Sequence, residues 1–241
     1  MKPWRFLAPN MLGFTWRTLS QAAVDRIKGA PSRPVQVAAY VAEHAEPGNP
    51  DNVLATIDRF AREVRWLMNI GPDKGPLIQE MAGRLPATAR ILELGAYCGY
   101  SSIMMSNTFG AQATITSIEV DADSVESCRK NVEVAGLSDR ITFIHGPSSK
   151  VLETLDAEPF DLVFLDHWKD LYKRDLQIIE SRGLLKPGSI VIADNVGDVF
   201  NPTEYLTYVR ECGHYDSENR AATIEYTDAP DAVEISVYKG A

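Results

Sequence analysis

The run Phe160-Asp161-Leu162-Val163-Phe164-Leu165-Asp166-His167-Trp168-Lys169 reads as a buried apolar strand that stops abruptly in a carboxylate, an imidazole, an indole and an amine. A second run, Ser189-Ile190-Val191-Ile192-Ala193-Asp194-Asn195, stops in a carboxylate and an amide. In an open α/β sheet, ligands bind outside the carboxyl ends of the strands. Neighbouring strands that end in Asp166 and in Asp194-Asn195 place three hard oxygen ligands together. That set suits Mg2+, which takes few protein ligands and keeps positions for water and substrate. Lys169 lies three residues past the first ligand, where a metal's charge would lower an amine's pKa. A metal beside a tuned amine points to deprotonation of a bound hydroxyl.

Outward from these two runs, residues from 89 onward alternate strand and helix. Strands are expected at 90–94, 114–119, 141–145, 160–166 and 189–194. Helices are expected near 100–108, 123–135, 149–155, 170–180 and 203–211. This rhythm predicts βαβ units and a parallel sheet. At the end, Thr223–Tyr226 and Val233–Lys239 flank a turn containing Pro230 and predict a hairpin, which adds an antiparallel strand to the edge. The fold class is therefore α/β, mostly parallel, with helices on both faces.

Residues 1 to about 85 read as all-helical. Val37–His44 is one helix, closed by Pro47-Gly48-Asn49-Pro50. A second runs from Asp51 to about Leu67, with Val53, Leu54, Ile57, Phe60, Ala61 and Val64 in an apolar stripe. A third runs from near Lys74 to Arg84. The chain divides into an extension, 1–36, and a domain, 37–241. In the extension Leu12, Trp16, Leu19, Ala23 and Ile27 recur at helical spacing. Packing on the domain is the simpler reading of that stripe; a membrane-surface helix is the alternative.

The 241 residues are 45% hydrophobic, enough for a sizeable core, and carry a net charge of −9. Phosphate contact needs a basic surface, so a general nucleic-acid binder is disfavoured. Three separated cysteines, Cys98, Cys128 and Cys212, make no Cys-x-x-Cys pair. They indicate neither zinc nor a disulfide framework, and they fit a reducing, cytoplasmic setting. No apolar run approaches the roughly 20 residues of a membrane span.

Leu92-Glu93-Leu94-Gly95-Ala96-Tyr97-Cys98-Gly99-Tyr100-Ser101 reads as a strand, a glycine turn and a helix start. Gly95 allows a sharp turn and close ligand approach. The helix that follows offers free N–H groups, with Ser101 as a further donor. In the dinucleotide fingerprint the second glycine makes room for the pyrophosphate. Tyr97 stands there, so NAD is disfavoured and S-adenosylmethionine, with ribose and adenine but no phosphate, fits better. Glu119, at the next strand's end, can accept both ribose hydroxyls. Glu93 is costly inside an apolar strand unless paired; it faces the cofactor's sulfonium or amino group, or else is a strand-edge residue bonded to backbone. Ser148 and Ser149 lie where an adenine edge would, or cap a helix. His167 and Trp168 are placed to line the adenine, with core packing as the alternative for Trp168.

Together these motifs closely resemble the catechol O-methyltransferases. The matching segments are Glu46–Asn49, Trp66–Gly71, Leu92–Ser101, Phe164–Asp170, Ala193–Val196 and Glu225-Tyr226, in family order over about residues 37 to 240. Asp-His-Trp-Lys combined with Gly-Ala-Tyr-Cys-Gly-Tyr-Ser is highly specific; a glycine loop alone would not be. The resemblance implies a Rossmann-like methyltransferase sheet and methyl transfer from S-adenosylmethionine to one hydroxyl of a small-molecule catechol. It implies Mg2+ held by Asp166, Asp194 and Asn195, with Lys169 as base and Glu225 bonded to the second hydroxyl. Trp66, Met68, Asp166, Lys169, Asn195, Val199 and Glu225 would face the substrate. Met68, Ile70, Glu93, Gly95, Tyr97, Ser101, Glu119, Val120, Ser148, Ser149, Asp166, His167 and Trp168 would surround the cofactor. The loop Val196–Pro202 departs from the mammalian pattern, which has a proline wall there; Val199 or Phe200 takes that place. The rival readings are methylation of another vicinal-diol phenolic, of flavonoid or caffeoyl type, and a non-catalytic interaction role.

Overall fold

The structure is a computed structural model and describes residues 29–240. The stripe from Leu12 to Ile27 lies outside the described residues. Three helices lead in: α1 (Arg33–His44), α2 (Pro50–Glu63) and α3 (Gly71–Gln79), the last continued by a 3-10 turn, Glu80–Arg84. There follow β1 (Arg90–Leu94), α4 (Tyr100–Thr108), β2 (Thr114–Glu119), α5 (Ala122–Val134), β3 (Ile141–His145) and α6 (Ser148–Thr154). Then come β4 (Phe160–Leu165), α7 (Tyr172–Ser181), β5 (Leu185–Ala193), α8 (Thr203–Glu211), β6 (Tyr215–Thr223) and β7 (Pro230–Tyr238). Among the described residues no helix is long and apolar enough to cross a membrane.

The seven strands lie in the order β3-β2-β1-β4-β5-β7-β6. β1 to β5 run parallel, and β7 is antiparallel to both β5 and β6. The chain winds outward from β1 in one direction and then returns to β4 on its other side. Between β1 and β4 the order reverses, and a crevice opens at such a switch point.

Side chains alternate across a strand, which explains the unbroken apolar runs. Phe164, Ile190 and Ile192 face a core built with α1 to α5. Val163, Leu165, Val191 and Ala193 face the other core, with Tyr172, Leu176, Ile179, Tyr205 and Val209. A strand covered on both faces has no place for a polar phase.

Several element boundaries differ from expectation: α2 ends at Glu63 and not near Leu67, and β5 begins at Leu185 and not at Ser189. α1 opens at Arg33, because Pro34 suits a first helical turn that needs no backbone donor. α3 opens at Gly71, whose φ of +62° turns the chain into it, so Lys74 stands inside the helix and not at its start. The hairpin is longer than the apolar residues suggest. β6 begins at Tyr215 and carries Ser217, Glu218, Asn219 and Arg220, the charged dress of an exposed edge strand. Glu225 therefore sits in the loop after β6, and Pro230 opens β7 instead of lying in the turn.

Candidate active site

A cavity of about 580 Å³ opens at the carboxyl ends of β1, β2 and β4. Its lining includes Trp66, Met68, Gly95, Tyr97, Glu119, Val120, Ser148, Asp166, His167, Trp168 and Lys169. Arg33, Gly146, Arg174 and Phe200 also line it. Among the described residues Met68, Val120 and Trp168 are the large apolar side chains left exposed, at 37%, 63% and 61%, and all three edge this opening.

The loop after β1 can take its course only because Gly95 has no side chain. Its φ is +97°, and a Cβ there would lie 2.5 Å from the carbonyl oxygen of Asp166. The loop's other end, Gly99, has φ +80° and leads into α4. Glu119 ties the loop down, accepting the N–H groups of Ala96 and Tyr97 at 3.0 Å each and that of Asp121 at 3.0 Å. Its carboxylate is thus already engaged by backbone while it faces the cavity. Glu93 is central, not at an edge, and fully buried. Ser102 and Ser117 donate to its Oε2, and Ser101 bonds it as well. Its Oε1 has no partner. Burial pushes this carboxyl's pKa up against the pull of the three serines.

On the opposite wall Asp175 accepts bonds from Ser148, from His167 Nε2 at 2.9 Å and from Arg174 at 2.9 Å. Burial alone would raise Asp175; these partners reverse that and hold it below the usual carboxylate range. Burial lowers the His167 pKa, with Asp175 opposing. Ile70 lies in the core, Ser101 against Glu93, and Ser149 beside Ser148 in the first turn of α6; none of them lines the cavity.

A buried polar cluster surrounds Lys74. Lys74 is fully buried, and its Nζ donates to Asp194 Oδ1 at 2.7 Å, Glu225 Oε1 at 2.6 Å and Asp231 Oδ2 at 2.7 Å. Asn195 Nδ2 donates to Asp231 Oδ2 at 2.8 Å and to Glu225 Oε1 at 3.2 Å. The backbone N–H of Asn195 donates to Asp194 Oδ1 at 2.7 Å, and that of Gly197 donates to Asp231 Oδ1 at 3.0 Å. Three oxygens are left over. Asp194 Oδ2, Asn195 Oδ1 and Glu225 Oε2 are buried and have no partner. Despite its burial, the three carboxylates raise the Lys74 pKa well above its ordinary value, so it stays an ammonium. Burial and the nearby Asp194 push Glu225 up, with Lys74 opposing.

Asp166 stands apart from this cluster and is paired with Lys169, Nζ to Oδ1 at 3.1 Å. Burial and Asp194 push Asp166 up against the pull of Lys169 and Lys74. The Lys169 amine lies 5.5 Å from the Tyr172 ring centre and 5.8 Å from that of Phe200. Trp66 donates its indole N–H to the Glu225 carbonyl at 2.8 Å and packs with Phe200, Ile224, Ala229 and Val199. Of the two candidates for this wall, Phe200 reaches the cavity and Val199 supports it.

Lys74 and Asp231 do not stand out in the sequence. Asp231 follows Pro230 and reads as a turn residue. Lys74 reads as a solvated helix start. Its one signal is Gly75, where a Cβ would lie 2.9 Å from Met104 Sδ, so α3 packs closely on α4 and buries what it carries.

The strand order and the cavity at its reversal define a Rossmann-like methyltransferase fold. Solved structures agree. An O-methyltransferase of Streptomyces achromogenes in complex with SAM has a TM-score of 0.68 at 23% identity, covering 79% of this chain and 91% of that one. An O-methyltransferase of Bacillus cereus in complex with SAH has a TM-score of 0.66 at 21% identity, covering 85% and 97%. The sequence goes further: the O-methyltransferase family model matches residues 48–206, and the chain belongs to that family. Mouse catechol O-methyltransferase is 32% identical over 98% of this chain and 90% of its own length. Zebrafish catechol O-methyltransferase B is 35% identical, over 95% and 88%. A probable O-methyltransferase of Mycobacterium tuberculosis is 39% identical, over 83% and 90%.

Proposed function

We propose that the chain transfers a methyl group from S-adenosylmethionine to one hydroxyl of a catechol, with Mg2+ held at Asp166, Asp194 and Asn195 and Lys169 as general base. The observation that carries this reading is the set of partnerless buried oxygens, Asp194 Oδ2, Asn195 Oδ1 and Glu225 Oε2, beside the Asp166–Lys169 pair. Buried acceptors without donors are costly, and a divalent cation with a diol is the kind of ligand that satisfies them. Relatives named catechol O-methyltransferase over nearly the whole chain support the acceptor class.

Asp166, Asp194 and Asn195 would hold the cation, which when bound would supply the positive charge that makes a nearby hydroxyl more acidic. Lys169 takes the hydroxyl proton and holds it as an ammonium against Asp166 Oδ1. Lys74 cannot share that role, because three carboxylates keep it protonated. Glu225 Oε2 accepts a hydrogen bond from the second hydroxyl. Trp66 and Phe200 flank the acceptor and exclude water, which favours a step in which phenolate and sulfonium charges cancel. The C–S bond breaks as the C–O bond forms, so orientation supplies much of the rate. Gly95 and Glu119 fix the loop against which the donor lies.

The test compares kcat/KM for catechol and the matched monophenol at saturating S-adenosylmethionine, with Mg2+ and with excess chelator. A site built to hydrogen-bond a hydroxyl rejects analogues that lack it. Catechol alone should turn over, and only with the metal. Equal values for the two acceptors, or full turnover in chelator, would refute the reading. The Val196–Pro202 loop, with Phe200 on the wall, makes flavonoid and caffeoyl-type diols the second acceptor class to assay.

A further inference from the structure

Asp194, Asn195 and Glu225 share one pattern. In each, one polar atom is fully occupied and the other is bare. Asp194 Oδ1 takes Lys74 and the Asn195 N–H, while Oδ2 is bare. Glu225 Oε1 takes Lys74 and Asn195 Nδ2, while Oε2 is bare. Asn195 Nδ2 gives to Asp231 and Glu225, while Oδ1 is bare. Two residues do the occupying, Lys74 and Asp231, and they hold each other at 2.7 Å. Neither of them lines the cavity, and Asp194, Asn195 and Glu225 lie beneath its lining too. Asp231 has no spare oxygen, since Oδ1 takes the Gly197 N–H and Oδ2 takes Lys74 and Asn195.

We infer that Lys74 and Asp231 are positioning residues that occupy one polar atom each of Asp194, Asn195 and Glu225, so that the remaining oxygen of each faces the cation and acceptor. The inference rests on the metal-dependent reading above and deepens it. The amide of Asn195 shows why such a device is needed. An amide can turn either end toward a cation, and only its oxygen is a ligand. Two carboxylates against Nδ2 fix that choice. The arrangement also has a tight frame: a Cβ on Gly197 would lie 2.6 Å from the Asp231 backbone, so the loop after β5 and the start of β7 are pressed together.

The experiment measures Mn2+ binding, by loss of the free-ion electron paramagnetic resonance signal, on the full chain. Four proteins form a cycle: wild type, Asp231→Asn, Asn195→Asp and the double variant, which swaps the partners. Thermal melts and S-adenosylmethionine titrations accompany them. Asp231→Asn should bind Mn2+ roughly 10–100-fold more weakly, as loss of a ligand's orienting partner does, with unchanged S-adenosylmethionine affinity. The double variant restores a carboxylate facing an amide. Its affinity should exceed what the two single changes predict by addition. Lys74→Met provides a contrary sign. Removing a positive charge should by Coulomb attraction alone tighten cation binding, whereas loss of positioning weakens it.

Wild-type affinity in Asp231→Asn, or strictly additive effects around the cycle, would overturn the role of Asp231. Tighter Mn2+ binding in Lys74→Met would overturn that of Lys74. If Asp231→Asn fails to fold, the double variant compared with Asn195→Asp still decides, and if Asn195→Asp fails, Asp231→Asn compared with wild type does. A wild type that binds no Mn2+ would instead strike the metal-dependent reading itself, and so is told apart from failure of the positioning residues.

Discussion

Glu93 and Glu225 are both fully buried carboxylates, one under each half of the cavity, and they are handled in opposite ways. Glu93 is bonded by serine hydroxyls, and Glu119 nearby by backbone N–H groups. These are neutral donors, each of modest worth, and any one can be lost on its own. Glu225 shares a single ammonium with Asp194 and Asp231. There the charges depend on one another, and removing the hub leaves three anions without water. The donor half of the site is a sum of small parts; the acceptor half is a single unit.

The sharpest test of that division is catalytic. Lys169→Met keeps the aliphatic stem and removes the amine. Its kcat should fall by about 10²–10⁴-fold, the range of a general base, with little change in S-adenosylmethionine affinity. A near-normal kcat would mean that the acceptor half works without this base. Stability is the next test. Lys74→Met breaks a buried ion cluster and should cost roughly 3–5 kcal/mol, read from chemical denaturation. Ser117→Ala removes one of the neutral donors to Glu93 and should cost about 1–3 kcal/mol. If the two losses were equal, the contrast between the halves would be empty.

Glu119→Ala should weaken S-adenosylmethionine by roughly 1–3 kcal/mol, measured by calorimetric titration. Because Glu119 also holds the N–H groups of Ala96 and Tyr97, the loss should come with faster amide exchange at those two positions. The smallest effect is on pH dependence. Glu93 has a raised pKa in the folded chain, from burial. Such a group stabilises fully below its unfolded pKa, near 4.5, and that contribution is lost as pH rises through the folded value. Glu93→Gln removes the titration. Its melting temperature relative to wild type should therefore improve from pH 4 to pH 7 in the absence of cofactor. A constant difference would show that the serines satisfy the charged form completely.

Most of the sheet was legible because its strands are rich in apolar residues and the central ones end sharply in polar residues. Phe160–Leu165 and Ser189–Ala193 needed no knowledge of their neighbours. β6 was not legible, since an edge strand bearing Ser217, Glu218, Asn219 and Arg220 carries no burial signal. In the site, Asp166, Lys169, Asp194 and Asn195 announced themselves by following apolar runs. Lys74 and Asp231 could not. A lysine in a helix and an aspartate after a proline are ordinary surface residues until the tertiary packing of α3 and the start of β7 buries them. Ile70 shows the converse. A position beside the pocket in sequence can turn its side chain into the core.

The contact between Gly95 and the Asp166 peptide bears on how such an enzyme can be re-purposed. Two loops, one proposed to shape the methyl donor's berth and the other carrying a candidate ligand, abut without space for one carbon atom. Grafting a foreign glycine loop would shift Asp166, so donor chemistry is inherited as a block. In the segments 196–202 and 224–229 the comparable joint is at Gly197, where a Cβ would lie 2.6 Å from the Asp231 backbone. A breeder of new acceptor preferences has those two stretches to vary, with Gly197 and Glu225 left in place.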